Sequence, residues 1–160
     1  SWIAPLKPQR QETAEWFVKT LKPYCEKKYR IIKDRSQVGI GGSSMGGLMS
    51  MYCIAKYNRV FSKAACLSST MDINLDPMLD LIHSTKMSRD TRIYMDFGSK
   101  EVKRKVNFAA NVDWMLQLNH AYEQHGCNTF PNVVVDGTHS EASWETIVPL
   151  FLEYLYPELY

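Results

Sequence analysis

Apolar positions along this chain alternate between short unbroken runs and longer stretches at helical spacing, the pattern of strands separated by helices. Ala14, Phe17, Val18 and Leu21 predict a helix from Gln11 to about Lys28, kinked at Pro23. Gln37 to Gly42 reads as a strand and Met45 to Tyr57 as a helix rich in small residues. Lys63 to Ser68 is a second buried strand, followed by a loop through Asp76. Pro77 to about Met87 is expected to be helical, with Asp76 as its N-cap. Arg92 to Phe97 is the third strand. Phe108, Val112, Met115, Leu118 and Tyr122 then mark one face of a long helix that His125-Gly126 closes. Phe130 to Val135 is the fourth strand, and a last helix is expected from Ser140 to Tyr156. Strands joined by helices of this length predict an α/β fold, a parallel sheet flanked by helices, over one domain from 1 to 160. Such sheets place chemistry in the loops at the carboxyl ends of their strands.

Composition narrows the class. The 160 residues are 45% apolar and 22% charged, which is ordinary for a globular domain with a real core. A formal net charge of +2 gives no reason to expect nucleic acid or a membrane surface as partner. The densest basic stretch, Lys100 to Lys105, is interrupted by Glu101 and Val102 and reads as a solvated helix start. Cys25, Cys53, Cys66 and Cys127 lie far apart with no C-x-x-C pair, so Cys53 and Cys66 are expected as small buried side chains. That usage favours a reducing, cytoplasmic setting. No run reaches the apolar length of a membrane-spanning helix. No His/Cys/Asp/Glu cluster has metal-ligand spacing, so neither a metal nor a cofactor is expected.

One motif carries chemistry. Gly42-Ser43-Ser44-Met45-Gly46 is a G-x-S-x-G sequence lying between the first strand and the helix that follows it. Such an elbow needs a strand, a turn too tight for bulky side chains, and a helix start that holds the serine proud of the sheet. Gly41, Gly42, Gly46 and Gly47 are expected to provide the close backbone approach. Ser44, with glycine at both flanking motif positions, is the candidate nucleophile, and Ser43 is the competing serine. The backbone N–H of Met45, at the helix start, is a candidate oxyanion donor.

A serine nucleophile needs a base, and the base needs a carboxylate that fixes its tautomer. His83, His120 and His125 fall within or at the end of expected helices, whereas His139 follows the fourth strand in a loop. His139 is therefore the candidate base. For the acid, Glu101 lies past Gly98 in the loop after the third strand and leads. Asp96, still within the strand, and Asp136, in the turn before His139, are the alternatives.

These blocks resemble the Putative esterase family of α/β-hydrolases, which includes S-formylglutathione hydrolase (esterase D), feruloyl and acetyl-xylan esterases, siderophore esterases and mycolyltransferases. The similar segments are Leu21-Lys22-Pro23-Tyr24, Lys28-Tyr29-Arg30, Gly42 to Gly47, Asp96-Phe97-Gly98-Ser99-Lys100-Glu101, and Gly137-Thr138-His139-Ser140-Glu141 with Trp144. The resemblance implies an α/β-hydrolase type fold with Ser44, Glu101 and His139 as a catalytic triad. It also matches Glu141 and Trp144 to positions in the last helix, where Trp144 is expected to pack behind the histidine loop with no chemical role.

The front of the chain departs from the family pattern. Members have far more residues before the elbow strand, including the loop that gives the second oxyanion amide. The chain is thus expected to be the carboxyl-terminal portion of such a domain, with its amino-terminal strands missing and the elbow strand at an open edge. A homo-oligomer or a complementing chain at that edge is the expected partner, alongside a small-molecule ester. The leading function is a serine esterase acting on carboxylic esters or thioesters through an acyl-enzyme. The alternative is a truncated or degenerate hydrolase serving as a non-catalytic binding or assembly module.

Overall fold

The computed structural model describes residues 8–160. Four parallel strands pair in chain order: β1 (Gly39–Ser43), β2 (Lys63–Leu67), β3 (Arg92–Gly98) and β4 (Asn128–Val134). Six α-helices accompany them: α1 (Pro8–Trp16), α2 (Lys22–Lys28), α3 (Met45–Lys56), α4 (Leu75–Ser84), α5 (Lys105–Gln124) and α6 (Glu141–Leu155). The register runs Gly39 opposite Lys63, Ser43 opposite Leu67, Cys66 opposite Met95 and Asp96 opposite Asn132. By this register β3 and β4 run about two residues past the ends of β1 and β2, and the carboxyl-end loops of all four share one rim.

Side-chain alternation along the strands divides the interior in two. Ala64, Cys66, Ile93 and Met95 join the larger core, which they share with Leu48, Met51 and Ile54 of α3, Ile82 of α4 and Leu118 of α5. Ala65, Leu67 and Tyr94 point to the other face, against Leu155, Phe151 and Trp144 of α6. Leu48, Met51, Ile54, Ile82, Ile93 and Leu118 are each at most 1% exposed. Each such side chain contributes about 1.5–3 kcal/mol through burial, so the larger core is the principal anchor of the sheet. Cys53 and Cys66 are buried free thiols, and burial pushes the Cys53 thiol up to about 12.

Three local expectations are corrected. The amino-terminal helix is not one kinked helix but α1 and α2 joined by a π turn over Phe17–Leu21. Pro23 lacks an N–H for the carbonyl four residues back, and the helix widens just before it, with Lys22 N–H bonding to the Phe17 carbonyl. Asp76 does not cap α4: the helix starts earlier, at Leu75, after a 3₁₀ turn over Asp72–Asn74, and Asp76 lies in its first turn. The first strand begins at Gly39, because Arg35–Gln37 form a 3₁₀ turn capped by Asp34, whose carboxylate accepts the Ser36 N–H at 2.8 Å.

Candidate active site

Ser44 sits between the end of β1 and the start of α3 with φ 56° and ψ −117°. A non-glycine residue in that region costs on the order of 1–3 kcal/mol and persists only where its surroundings fix it. Here the Ser44 N–H donates to the Leu67 carbonyl at 2.8 Å, and the Ser44 carbonyl accepts from Leu48 at 3.2 Å and Thr70 at 3.4 Å. Tight packing supplies the rest. A Cβ on Gly42 would stand 2.7 Å from the Gly46 carbonyl carbon, and one on Gly47 would stand 2.8 Å from the Leu67 oxygen. Gly46 differs from expectation, since a Cβ there would meet nothing within 4 Å. The close approach is therefore imposed at Gly42 and Gly47. Ser43, the competing serine, is the last residue of β1 and pairs with Leu67. Met45 is the first residue of α3, with its amide in the helix's amino-terminal turn.

Glu101 and His139 meet directly. His139 Nδ1 lies 2.8 Å from Glu101 Oε2, and the Glu101 side chain is only 2% exposed while that of His139 is 43% exposed. The other carboxylate oxygen, Oε1, accepts from the Gly98 N–H and from the Ser68 hydroxyl, each at 2.6 Å. A carboxylate only accepts, so the imidazole proton in this contact resides on Nδ1 and leaves Nε2 as the free base position.

Backbone stitching brings the two loops together. Lys100 N–H donates to the Gly137 carbonyl at 2.8 Å, and Ser99 N–H to the Val134 carbonyl at 2.9 Å. A Cβ on Gly98 would stand 2.4 Å from the Gly137 oxygen, so a glycine is needed where the loops touch. Past His139, Ser140 caps α6 by accepting the Ser143 N–H.

The alternatives to Glu101 are placed elsewhere. Asp96 makes no contact with His139 and accepts from the Ser68 N–H at 2.9 Å and the Tyr94 hydroxyl at 3.1 Å. Burial pushes its carboxyl up to about 6, against the pull of those donors and with a further push from Glu101. Asp136 occupies a left-handed turn at φ 61° and pairs with Lys100 at 2.8 Å on the surface. Of the other histidines, His83 and His125 lie ring to ring at 5.6 Å, and His120 bonds Gln124.

Ser44 Oγ makes no hydrogen bond to His139 among the described residues. It is linked to the pair through the chain beside it: Leu67 holds the Ser44 amide, and Ser68, the next residue, holds Glu101. A cavity of about 430 Å³ opens beside His139 and Glu101, walled by Phe97, Val102 and Trp114 with Thr70, Asn107 and Asn111 as polar lining. Of the loop after β2, Met71 and Asp72 reach this cavity and Leu75 packs against the core instead. A second, largely apolar groove of about 550 Å³ lies on the other side of the elbow, touching Met45, Gly46 and the exposed side of β1. Among the described residues no group of three or more His, Cys, Asp or Glu could hold a metal ion, and no helix is long and apolar enough to cross a membrane.

Sequence reasoning missed Ser68 and read only half of Trp144. The Trp144 ring does pack edge-on against His139, with centroids 5.0 Å apart, but its indole N–H also donates to Ser68 Oγ at 2.8 Å. The available signal for Ser68 was its place at the carboxyl end of a strand, and its φ of 44° marks the site as constrained.

The model of the family described as Putative esterase matches residues 3–149. Similar solved structures are a ferulic acid esterase (22% identity, TM-score 0.69, covering 88% of this chain and 58% of that one), the enterobactin esterase FES of Shigella flexneri (19%, 0.72, 92% and 38%), and the S-formylglutathione hydrolase FrmB of Staphylococcus aureus (17%, 0.66, 92% and 62%). The fold is thus of α/β-hydrolase type. A curated relative, the uncharacterized protein YbbA of Bacillus subtilis, is 30% identical over 84 residues, which are 52% of this chain and 33% of that protein. The chain spans a third of that relative's length and less than two thirds of each of these structures.

Proposed function

Because the chain belongs to the Putative esterase family, we propose that it carries the chemical centre of a serine esterase acting on small-molecule carboxylic esters or thioesters. Ser44 Oγ attacks the carbonyl carbon, and its proton passes to Nε2 of His139. Glu101, held against Nδ1, keeps the imidazole in the tautomer that can take that proton and stabilises the imidazolium once formed. The negative charge on the carbonyl oxygen falls to the Met45 amide at the amino end of α3, where the helix dipole adds to the hydrogen bond. His139 then protonates the leaving alcohol or thiol, and water, activated by the same imidazole, releases the acid from Ser44.

The observation that carries this reading is the 2.8 Å contact between the exposed His139 ring and a Glu101 carboxylate that is 2% exposed. A buried carboxylate with both oxygens bonded and aimed at a half-exposed histidine fixes that imidazole's tautomer and orientation, which a general base requires. The strained Ser44 on the same rim supports it. A fluorophosphonate probe is expected to label Ser44 covalently, and Ser44→Ala is expected to abolish both labelling and p-nitrophenyl acetate turnover. Turnover that survives Ser44→Ala at the wild-type rate refutes the proposal.

The non-catalytic reading is favoured by one feature, the edge of β1 that no strand among the described residues pairs with, beside its apolar groove. Absence of labelling and turnover in the unmutated chain is the outcome that separates this reading from the first, and a segment docked in that groove would lie next to Met45 and the elbow.

A further inference from the structure

Four side chains close a circuit around the proposed base. His139 bonds Glu101 at 2.8 Å, Glu101 accepts from Ser68 at 2.6 Å, Ser68 accepts from Trp144 at 2.8 Å, and the Trp144 ring returns to His139 at 5.0 Å. The direction of each hydrogen bond is dictated by chemistry. An indole N–H can only donate, so it occupies a lone pair of Ser68 Oγ and leaves the hydroxyl proton for Glu101, which can only accept. Trp144 thus sets the rotation of the Ser68 hydroxyl, and that hydroxyl with the Gly98 N–H sets the plane of the carboxylate.

Ser68 is itself held from below. Its N–H donates to the buried Asp96 carboxyl, whose other oxygen takes the Tyr94 hydroxyl, which in turn accepts from Asn132 at 3.0 Å. At φ 44° the serine stands in the left-handed region. That conformation turns its N–H toward Asp96 and its hydroxyl toward Glu101. Three strands contribute: Ser68 follows the end of β2 at Leu67; Tyr94, Asp96 and Gly98 lie on β3; and Asn132 lies on β4.

We propose that Ser68 and Trp144 are positioning residues, acting as one relay that fixes Glu101 against His139. Besides the Trp144 ring packed on His139, their hydrogen bonds run to each other and to Glu101, and the relay acts through that carboxylate. Its kinetic arm rests on the esterase reading, and its structural arm does not.

The test uses Ser68→Gly and Trp144→Phe. Glycine accepts φ 44° without strain and keeps the N–H to Asp96, so the backbone bond stays while the hydroxyl leaves with its methylene. Phenylalanine keeps an aromatic ring at the position and removes the indole N–H with the second ring that carries it. In Ser68→Gly, kcat is expected to fall about 10- to 100-fold with KM changed less than about twofold, the cost of a misaligned base. Trp144→Phe is expected to lower kcat about three- to tenfold, as for one lost hydrogen bond. In the double variant the indole N–H has no hydroxyl to act through, so kcat is expected to equal that of Ser68→Gly alone.

The independent readout is the downfield proton resonance of His139 Nδ1–H in ¹⁵N-labelled protein. It is expected to move upfield and broaden in Ser68→Gly. A resonance unmoved in a folded Ser68→Gly protein overturns the proposal whether or not the protein hydrolyses esters. So do Ser68→Gly and Trp144→Phe effects that simply multiply. A moved resonance in a protein whose Ser44→Ala variant keeps full turnover upholds the positioning and removes the esterase reading.

Discussion

Asp96 and Glu101 show how two carboxyls five residues apart acquire different chemistry. Glu101 takes three polar partners, one of them a histidine, while Asp96 is 4% exposed and reached only by one N–H and one hydroxyl. Burial raises the Asp96 carboxyl from its ordinary 3.8 to about 6. At this site the folded chain therefore holds more of a proton than the unfolded chain between those values, and the contribution of Asp96 to stability falls as pH rises through that window. Above it the cost of the buried charge is present in full, up to roughly 3 kcal/mol for a shift of about two units. Asp96→Asn removes the charge but retains an oxygen for the Ser68 N–H. It is expected to raise stability at pH 7 by roughly 1–3 kcal/mol, less whatever Tyr94 loses in reorienting its hydroxyl. Urea unfolding at about pH 4.5 and pH 7 measures this. A variant less stable at pH 7, with the wild-type slope between the two, would falsify it.

Between elements, the ends of the sheet opposite the site are joined by Arg35. Its guanidinium bonds both oxygens of Asp90 at 2.8 and 2.7 Å, Asn58 Oδ1 and Thr91 Oγ1 at 3.1 Å each, and the Asn58 carbonyl. One side chain just ahead of β1 thereby ties the segment after α3 to the start of β3. Arg35→Ala strands the Asn58 carbonyl, while Asn58 Oδ1 keeps the Ser88 N–H at 2.8 Å, and is expected to cost about 1–3 kcal/mol, visible as a lower urea midpoint, with the fluorophosphonate labelling rate at Ser44 unchanged. Arg35→Lys recovers only part, because an ammonium cannot span the fork of partners. None of this was legible in the sequence, where Arg35 is one of 19 basic residues and its partners are 23 to 56 positions away. The strands and α3, α5 and α6 were legible to within a few residues, because buried strands and long helical faces write their period into the chain. Ser44, Glu101 and His139 were legible as candidates because each follows its own strand with glycine nearby, and of the three the structure joins Glu101 to His139. Ser68 was not: its partner Trp144 is 76 residues away, and only the packing of α6 on the sheet joins them. The start of α4 failed for a different reason, since a proline is tolerated in any first-turn position and does not fix which residue precedes it.

At the scale of the whole molecule, β1 is an outer strand although it carries the elbow. The Val38 carbonyl accepts from Ser62 and the Ser44 N–H donates to Leu67, so Val38, Ile40, Gly42 and Ser44 turn their backbone groups toward β2. Alternation along a parallel strand then turns Gly39, Gly41 and Ser43 outward, where no strand of the described chain meets them. Beside that edge lies the apolar groove lined by Phe17, Leu21, Val38, Ile40, Met49 and Phe61. An unpaired edge next to apolar surface favours association, and a second copy is the occupant available to residues 1–160 in isolation. Sedimentation velocity from about 1 to about 100 µM is expected to show mass rising with concentration. Phe17→Lys places a charge in the groove without touching the strand, and is expected to move the transition at least about tenfold higher in concentration. A monomer across the whole range would mean that the edge is quiet by itself. If association occurs and Phe17→Lys leaves it unchanged, the contact lies elsewhere. Fluorophosphonate labelling across the same range adds the functional half: if the occupant of the edge also shapes the elbow beside Met45, the labelling rate per chain rises with the associated fraction.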